Sequence, residues 1–347
     1  MGIFAICKRS QLLKRFVVSH PQLVFIKVGV EHDRKLISTR AKFEDYTFNE
    51  VGIPVPGGIL AGKLWEHRNK ALASANVPPI VCLHGWLDNA GTFDLMIPYL
   101  ITPSTKFFCL DFPGHGMTSY CPEWWYDGHL EGILATRRVA KHFGWDKFSI
   151  LGHSMGGIVG FLYTAYFPDE VHKLVALENM STLAVPGGCN IQMMRMSMNL
   201  LFDVEERMKA GKKSYGYDEI LKKIYEGRLG TISKEGCVAL LKRGSSKVDQ
   251  NEFQFSYSLR THIPGQEGRT PPEMTLKLAN EVTSPVCFIK ADPGNKYETK
   301  EDSEKFLSVL RKNLGDNFEY HKVPGTHHFH LNDPQLIAPI ALKFLTS

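Results

Sequence analysis

Apolar residues in this chain fall in short unbroken runs that alternate with longer stretches of helical spacing. Phe43–Val51 and Ile59–Trp65 are predicted as strands joined by a Pro/Gly turn at Pro54–Gly58. Pro79–Leu83, Lys106–Leu110, Phe148–Leu151 and Val171–Leu177 follow as further strands. They are apolar throughout rather than alternating, as strands covered on both faces are. Between them Ala90–Leu100, Tyr126–Phe143 and Gly156–Phe167 carry helical periodicity. The alternation resumes with a strand at Pro285–Ile289, a helix at Lys300–Leu314, a strand at Phe318–Val323 and a helix at Pro334–Leu345. This rhythm predicts an α/β fold built on a mostly parallel central sheet flanked by helices.

The rhythm stops between residues 181 and 284. That segment is predicted to be mostly helical, with turns at Pro186–Gly188 and Pro264–Gly268. A stretch of this size between two strands of one sheet exceeds a plain loop. It is expected to form a cap inserted after the sixth strand, with the core at 41–180 and 285–347. Met193, Met194, Met196 and Met198 stand at its start. They are either packing within the cap or a pliable apolar wall facing a substrate chain.

Composition narrows the class. The chain has 347 residues, 43% hydrophobic and 22% charged, a globular profile that excludes collagen-like and disordered proteins. The net charge of +5 first suggests anionic partners. Residues 1–40, however, hold eight basic and two acidic side chains, so the remaining body sums to about one negative charge. A near-neutral body carries no nucleic-acid footprint. The acid-poor basic leader is a candidate mitochondrial targeting segment. The alternatives are a solvated extension, a helix lying on the body, or a membrane-surface contact. No run approaches the roughly 18 apolar residues of a transmembrane helix. The seven cysteines (Cys7, Cys82, Cys109, Cys121, Cys189, Cys237, Cys287) are odd in number and lack a Cys-x-x-Cys pair. Cys82, Cys109 and Cys287 lie in predicted strands, where they act as small hydrophobes. A reducing, intracellular compartment follows. It is expected to be the cytoplasm, with the mitochondrion or peroxisome as alternatives.

The sharpest chemical feature is Gly152-His153-Ser154-Met155-Gly156-Gly157 between a predicted strand and helix. Gly-x-Ser-x-Gly in that context makes a strained turn that lifts the serine hydroxyl to the carboxyl edge of the sheet. The helix N-terminus beside it favours developing negative charge. His84-Gly85-Trp86 ends an earlier strand. The backbone N–H groups of Trp86 and Met155 are candidate oxyanion donors. Asp111-Phe112-Pro113-Gly114-His115-Gly116 follows the next strand and is expected to shape a turn. His327, in Gly325-Thr326-His327-His328-Phe329-His330 after the last strand, is the candidate base for Ser154. Three histidines also raise the question of a metal, but no zinc-type spacing with a matching partner accompanies them. No metal or other cofactor is expected.

This ordered set of motifs resembles the α/β-hydrolase superfamily over residues 43–347. Within it the chain is most similar to the serine hydrolase-like (kraken-like) proteins, a similarity that extends to Leu240-Leu241-Lys242-Arg243-Gly244 and Phe288-Ile289-Lys290-Ala291. The resemblance implies an α/β-hydrolase fold and an esterase-like serine hydrolase. It also exposes a departure. Most superfamily members carry the triad acid in Gly-x-x-Asp after the strand equivalent to Pro285–Ile289. Here that stretch reads Ala291-Asp292-Pro293-Gly294, with Gly294 at the acid position. Two carboxylates compete for the role: Glu178, at the end of Val171–Leu177 and slightly favoured, and Asp292. The expected partner is a small-molecule ester with an apolar acyl group. Thioester or carbon–carbon bond hydrolysis on the same triad, and a non-catalytic binding protein with this fold, are the alternatives.

Overall fold

Among the described residues the apolar runs pair into one nine-stranded sheet. The computed structural model describes residues 24–26, 44–73, 76–121, 128–181, 191–263, 272–294 and 298–347. The first seven strands are β1 Val24–Ile26, β2 Tyr46–Val55, β3 Gly58–His67, β4 Ile80–Leu83, β5 Lys106–Leu110, β6 Phe148–His153 and β7 Val171–Leu177. A separate small sheet holds β8 Tyr215–Gly216, β9 Ser245–Asp249 and β10 Glu252–Phe255. The main sheet is completed by β11 Val286–Asp292 and β12 Phe318–Pro324. Its order is β1-β2-β3-β5-β4-β6-β7-β11-β12. Strands from β5 to β12 run parallel, while β1, β2 and β3 join antiparallel at one side.

Alternate residues of the central strands β4, β5, β6, β7 and β11 feed two cores, which is why these strands show no polar face. Val81, Leu83, Phe108, Leu110, Ile150, Leu174 and Ala176 pack with Ile133, Val159, Phe161, Phe306 and Leu310 of the helices on one face. Ile80, Cys82, Phe107, Cys109, Leu151, Val175, Leu177 and Cys287 pack with Phe93, Ile97, Leu100, Ile337 and Phe344 on the other. Cys82, Cys109 and Cys287 are buried free thiols. The helix Lys300–Leu314 shows how local sequence sets its limits. Thr299 Oγ1 accepts from Asp302 N–H at its start, acids fill its first turn, and Gly315 ends it at φ +55°.

Two expected boundaries move. Val24–Ile26, placed in the leader by charge, pairs with Gly52, Val51 and Glu50 of β2, because Val-Phe-Ile is a strong strand sequence. The rest of residues 1–40 lies outside the described residues, as do the turns at 186–188 and 264–268 and the side chains of Met193 and Met194. The inserted segment also closes earlier than residue 284. Helix Pro272–Glu281 buries Leu278 and Ala279 in the core of Val159 and Phe306, and Asn313 Nδ2 donates to the carbonyls of Ala279 and Val282. The insertion itself comprises the helices Ile191–Lys209, Tyr217–Gly227 and Lys234–Gly244 with the small sheet. Met196 and Met198 are exposed there. Among the described residues no helix is long and apolar enough to cross a membrane.

Arg243 ties the insertion to the sheet. Its Nε donates to Asp111 Oδ2 at 2.7 Å and its Nη1 to Glu50 Oε2. Burial opposes the guanidinium charge, but Asp111 and Glu50 outweigh it and hold the group above its ordinary value. Asp111 also accepts the N–H groups of Ala90 and Met117, which fixes the turn after β5. Arg243→Ala, which strands two carboxylates, is expected to cost about 3–5 kcal/mol in urea unfolding; a loss below about 1 kcal/mol contradicts this account.

Candidate active site

The parallel strands end at one edge, and β4, β5, β6, β7 and β12 each deliver a motif there. At the end of β6 the chain turns into helix Met155–Tyr166 through Ser154, whose φ of +53° and ψ of −117° are strained for any side-chain-bearing residue. Only missing side chains allow that turn. A Cβ on Gly152 would lie 2.2 Å from Gly156 O, one on Gly156 2.0 Å from Leu83 O, and one on Gly157 2.0 Å from Asn179 O. The turn is also bonded to its neighbour strand, as Ser154 N–H donates to Leu177 O at 3.0 Å.

Ser154 Oγ and His327 Nε2 lie 3.0 Å apart. His327 Nδ1 is 3.9 Å from Glu178 Oε1, beyond direct hydrogen-bond reach. Glu178 is fully buried, with a left-handed φ of +68°. Its Oε2 accepts Ala291 N–H at 2.9 Å, and Lys290 Nζ donates to its backbone O at 2.9 Å and Oε1 at 3.2 Å. Asp292, the rival carboxylate, is exposed. Gly294 accounts for the difference. A Cβ there would come within 2.6 Å of Glu178 Oε1, so the residue at the usual acid position leaves the space that the Glu178 carboxylate fills.

Trp86 follows Gly85, where a Cβ would sit 3.3 Å from Ser154 Cβ. The turn after β4 therefore presses directly on the serine. The Trp86 indole donates to Thr261 O at 2.6 Å, linking this turn to the insertion. Met155 opens its helix, where N–H groups lack a carbonyl one turn earlier. His84 and His115 brace the turns from below. His84 Nε2 accepts Phe112 N–H at 2.9 Å with Nδ1 2.7 Å from Gly85 O, and His115 Nε2 accepts Leu87 N–H at 3.3 Å.

The three histidines of the last loop go to separate partners: His327 to Ser154, His328 Nδ1 to Thr231 Oγ1 and His330 Nε2 to Thr92 Oγ1. Metal-type ligand atoms do gather elsewhere. Cys287, Glu319 and His321 bring theirs within 4.8 Å of one another near the amino ends of β11 and β12, opposite the serine edge. Asp88, Thr231 and Arg228 belong to none of the sequence motifs. Asp88 is buried and paired to Arg228 at 2.8 Å across 140 positions of chain, a separation that leaves no local signal.

Burial pushes His84 down to about 3 and His115 to about 4, against about 6.5 in an unfolded chain. Both are neutral in the fold, so the unfolded chain binds more protons between pH 6.5 and 4. Their contribution to stability is complete above pH 6.5 and lost as pH falls. The urea midpoint is expected to drop steadily from pH 7 to pH 4.5; a level midpoint over that window contradicts the assignment.

Comparison with known proteins agrees with this fold. A family profile described as the α/β hydrolase fold matches residues 78–233. A probable serine hydrolase of Drosophila melanogaster is 32% identical over 86% of this chain and 88% of its own length. A serine hydrolase-like protein of Mus musculus is 30% identical over 86% of this chain and 95% of its own. Among solved structures, a hypothetical protein of Pseudomonas aeruginosa PAO1 superposes with a TM-score of 0.68 at 27% identity, covering 86% of this chain and 99% of that one. The thioesterase domain from the curacin biosynthetic pathway superposes at 0.67 with 15% identity over 85% and 99%, a likeness of fold. A motif-bearing edge on this sheet and relatives matched over most of their length lead to one conclusion: the chain belongs to the serine hydrolase-like proteins of the α/β-hydrolase family.

Proposed function

We propose that this hydrolase cleaves a carboxylic ester through an acyl-enzyme on Ser154, and that the inserted segment is the cap over its substrate. The observation that carries this reading is the 3.0 Å pairing of His327 Nε2 with Ser154 Oγ at a strained elbow, with Glu178 behind the imidazole. Ser154 Oγ attacks the carbonyl carbon while His327 takes its proton. Glu178 orients the ring and stabilises the imidazolium. The N–H groups of Met155 and Trp86 receive the tetrahedral oxyanion, and His327 returns its proton to the leaving alcohol. Water, deprotonated by His327, then releases the acid and frees Ser154.

Electrostatics supports Glu178 as the acid. It is enclosed, held by a backbone N–H and a lysine, and faces His327. The exposed Asp292 lacks that enclosure. The cap packs Ile220, Leu221, Ile224, Ile232, Leu240 and Leu241 into a buried core of its own, and the substrate proposed beneath it is an ester with an apolar acyl group or a small ester. No cofactor takes part in this scheme.

Fluorophosphonate labelling tests the nucleophile. Wild type is expected to label and Ser154→Ala not to; labelling that persists in the variant removes Ser154 from the site. Glu178→Gln is expected to lower kcat by about 10³–10⁴-fold, with Asp292→Asn within a few-fold of wild type. The reverse ranking moves the acid to Asp292. Rates across an ester and thioester panel of graded acyl length fix the bond cleaved, and faster thioester turnover at every length overturns the ester assignment.

A further inference from the structure

The loop that carries His327 is held from two sides. On the core side His153 Nε2 lies 2.9 Å from the His327 carbonyl oxygen, and Thr92 Oγ1 lies 2.8 Å from His330 Nε2. Burial keeps His153 well below its ordinary value, so the neutral ring donates Nε2–H to that carbonyl. On the other side stands the turn 228–233, between helices Tyr217–Gly227 and Lys234–Gly244 of the insertion. Thr326 Oγ1 donates to Thr231 O at 2.6 Å, and Asn332 Nδ2 donates to the same oxygen at 2.9 Å. Asn332 Oδ1 accepts Ser233 N–H at 2.7 Å. Thr231 Oγ1 gives its single proton to Arg228 O at 2.7 Å, so it accepts from His328 Nδ1–H at 2.8 Å. Both neighbours of His327 in the chain are therefore bonded to Thr231.

The same turn reaches the other half of the site. Arg228 Nη2 donates to Leu87 O at 2.7 Å. Leu87 follows Trp86 and holds a left-handed φ of +60°. Arg228 Nε and Nη2 also lie 2.9 and 2.8 Å from Asp88 Oδ1. Burial opposes the Asp88 charge, but Arg228 first and then His328 favour it, and the carboxyl stands well below its usual range. Asp88 Oδ2 in turn stands 3.7 Å from His328 Nε2 and accepts from Thr92 Oγ1 at 3.3 Å. Anchoring the insertion does not rest on this arrangement alone, because Arg243 already ties it to Asp111 after β5 and to Glu50 on β2. The bonds of the 228–233 turn end instead on residues adjoining the base and the oxyanion turn.

We propose that the turn 228–233 is a working part of the active site: Thr231 and the Arg228–Asp88 pair are positioning residues that align His327 and the Trp86 turn, so the serine has its base only while the insertion is seated. This rests on the acyl-transfer reading of Ser154 and His327. A cap that carries such contacts couples its own seating to reactivity, since a displacement of about 1 Å at a catalytic group can cost on the order of a hundredfold in rate.

The test uses the full chain and p-nitrophenyl acetate, with kcat and KM measured separately and Ser154 labelling by a fluorophosphonate timed in parallel. Thr231→Val keeps the side-chain volume and removes the bond to His328. It is expected to lower kcat and the labelling rate by about 10–100-fold, with KM within about twofold. Thr231→Ser is expected to restore both. The paired variant Asp88→Asn with Arg228→Met removes both charges together, avoiding a buried unpaired ion, and is expected to act in the same direction. Hydrogen exchange in the peptide covering 325–333 is expected to rise in Thr231→Val while circular dichroism stays that of wild type. Folded Thr231→Val and paired variants with unchanged kcat, beside an active wild type, overturn this proposal alone. A wild type that neither turns over nor labels overturns the acyl-transfer reading and this one with it.

Discussion

Everything at the serine edge depends on how closely three backbones approach one another. The segments ending β4, β6 and β7 meet at Gly152, Gly156 and Gly157, where a methyl group on any of them would overlap a main-chain atom. That closeness stands Ser154 up in a strained conformation and presses Gly85 against it. A sheet with both faces packed resists local relaxation, so the strain is sustained by two cores rather than by the turn itself.

A second constraint concerns the carboxylate proposed as the acid. The carboxylate that faces His327 comes from the end of β7, and the position after β11 is glycine. The two features are complementary: a side chain at residue 294 would displace the Glu178 carboxylate, and Glu178 gains Ala291 N–H and Lys290 as partners from β11. The strand that usually carries the acid here supplies the groups that hold it. A carboxylate on either of two adjacent parallel strands can reach one imidazole because their carboxyl ends are neighbours in the sheet.

The insertion extends the same logic across the cleft. It has its own apolar cluster, joined by Leu331 from the loop that bears His327. It is tied down by Arg243 on Asp111 and Glu50, and by the 228–233 turn on residues beside the base. Buried charge at both anchors is met by opposite charge, as the cost of an isolated ion in a dry interior requires.

The sequence by itself marked the sheet, its flanking helices, the elbow serine and the histidine after the last strand. Each rests on a local signal: apolar runs, helical periodicity, or glycines forced by crowding within a few residues. Val171–Leu177 and Lys300–Leu314 coincide with observed elements for that reason. For the proposed acid it offered Glu178, slightly favoured, and Asp292, because a carboxylate's role depends on what lies across the strand. Only the tertiary structure decided that Glu178 faces His327, that Val24–Ile26 joins the sheet, and that helix Pro272–Glu281 packs with the core. It also paired Asp88 with Arg228 and Thr231 with His328. Such pairs are made between residues far apart in the chain, and no local pattern records a contact created by folding.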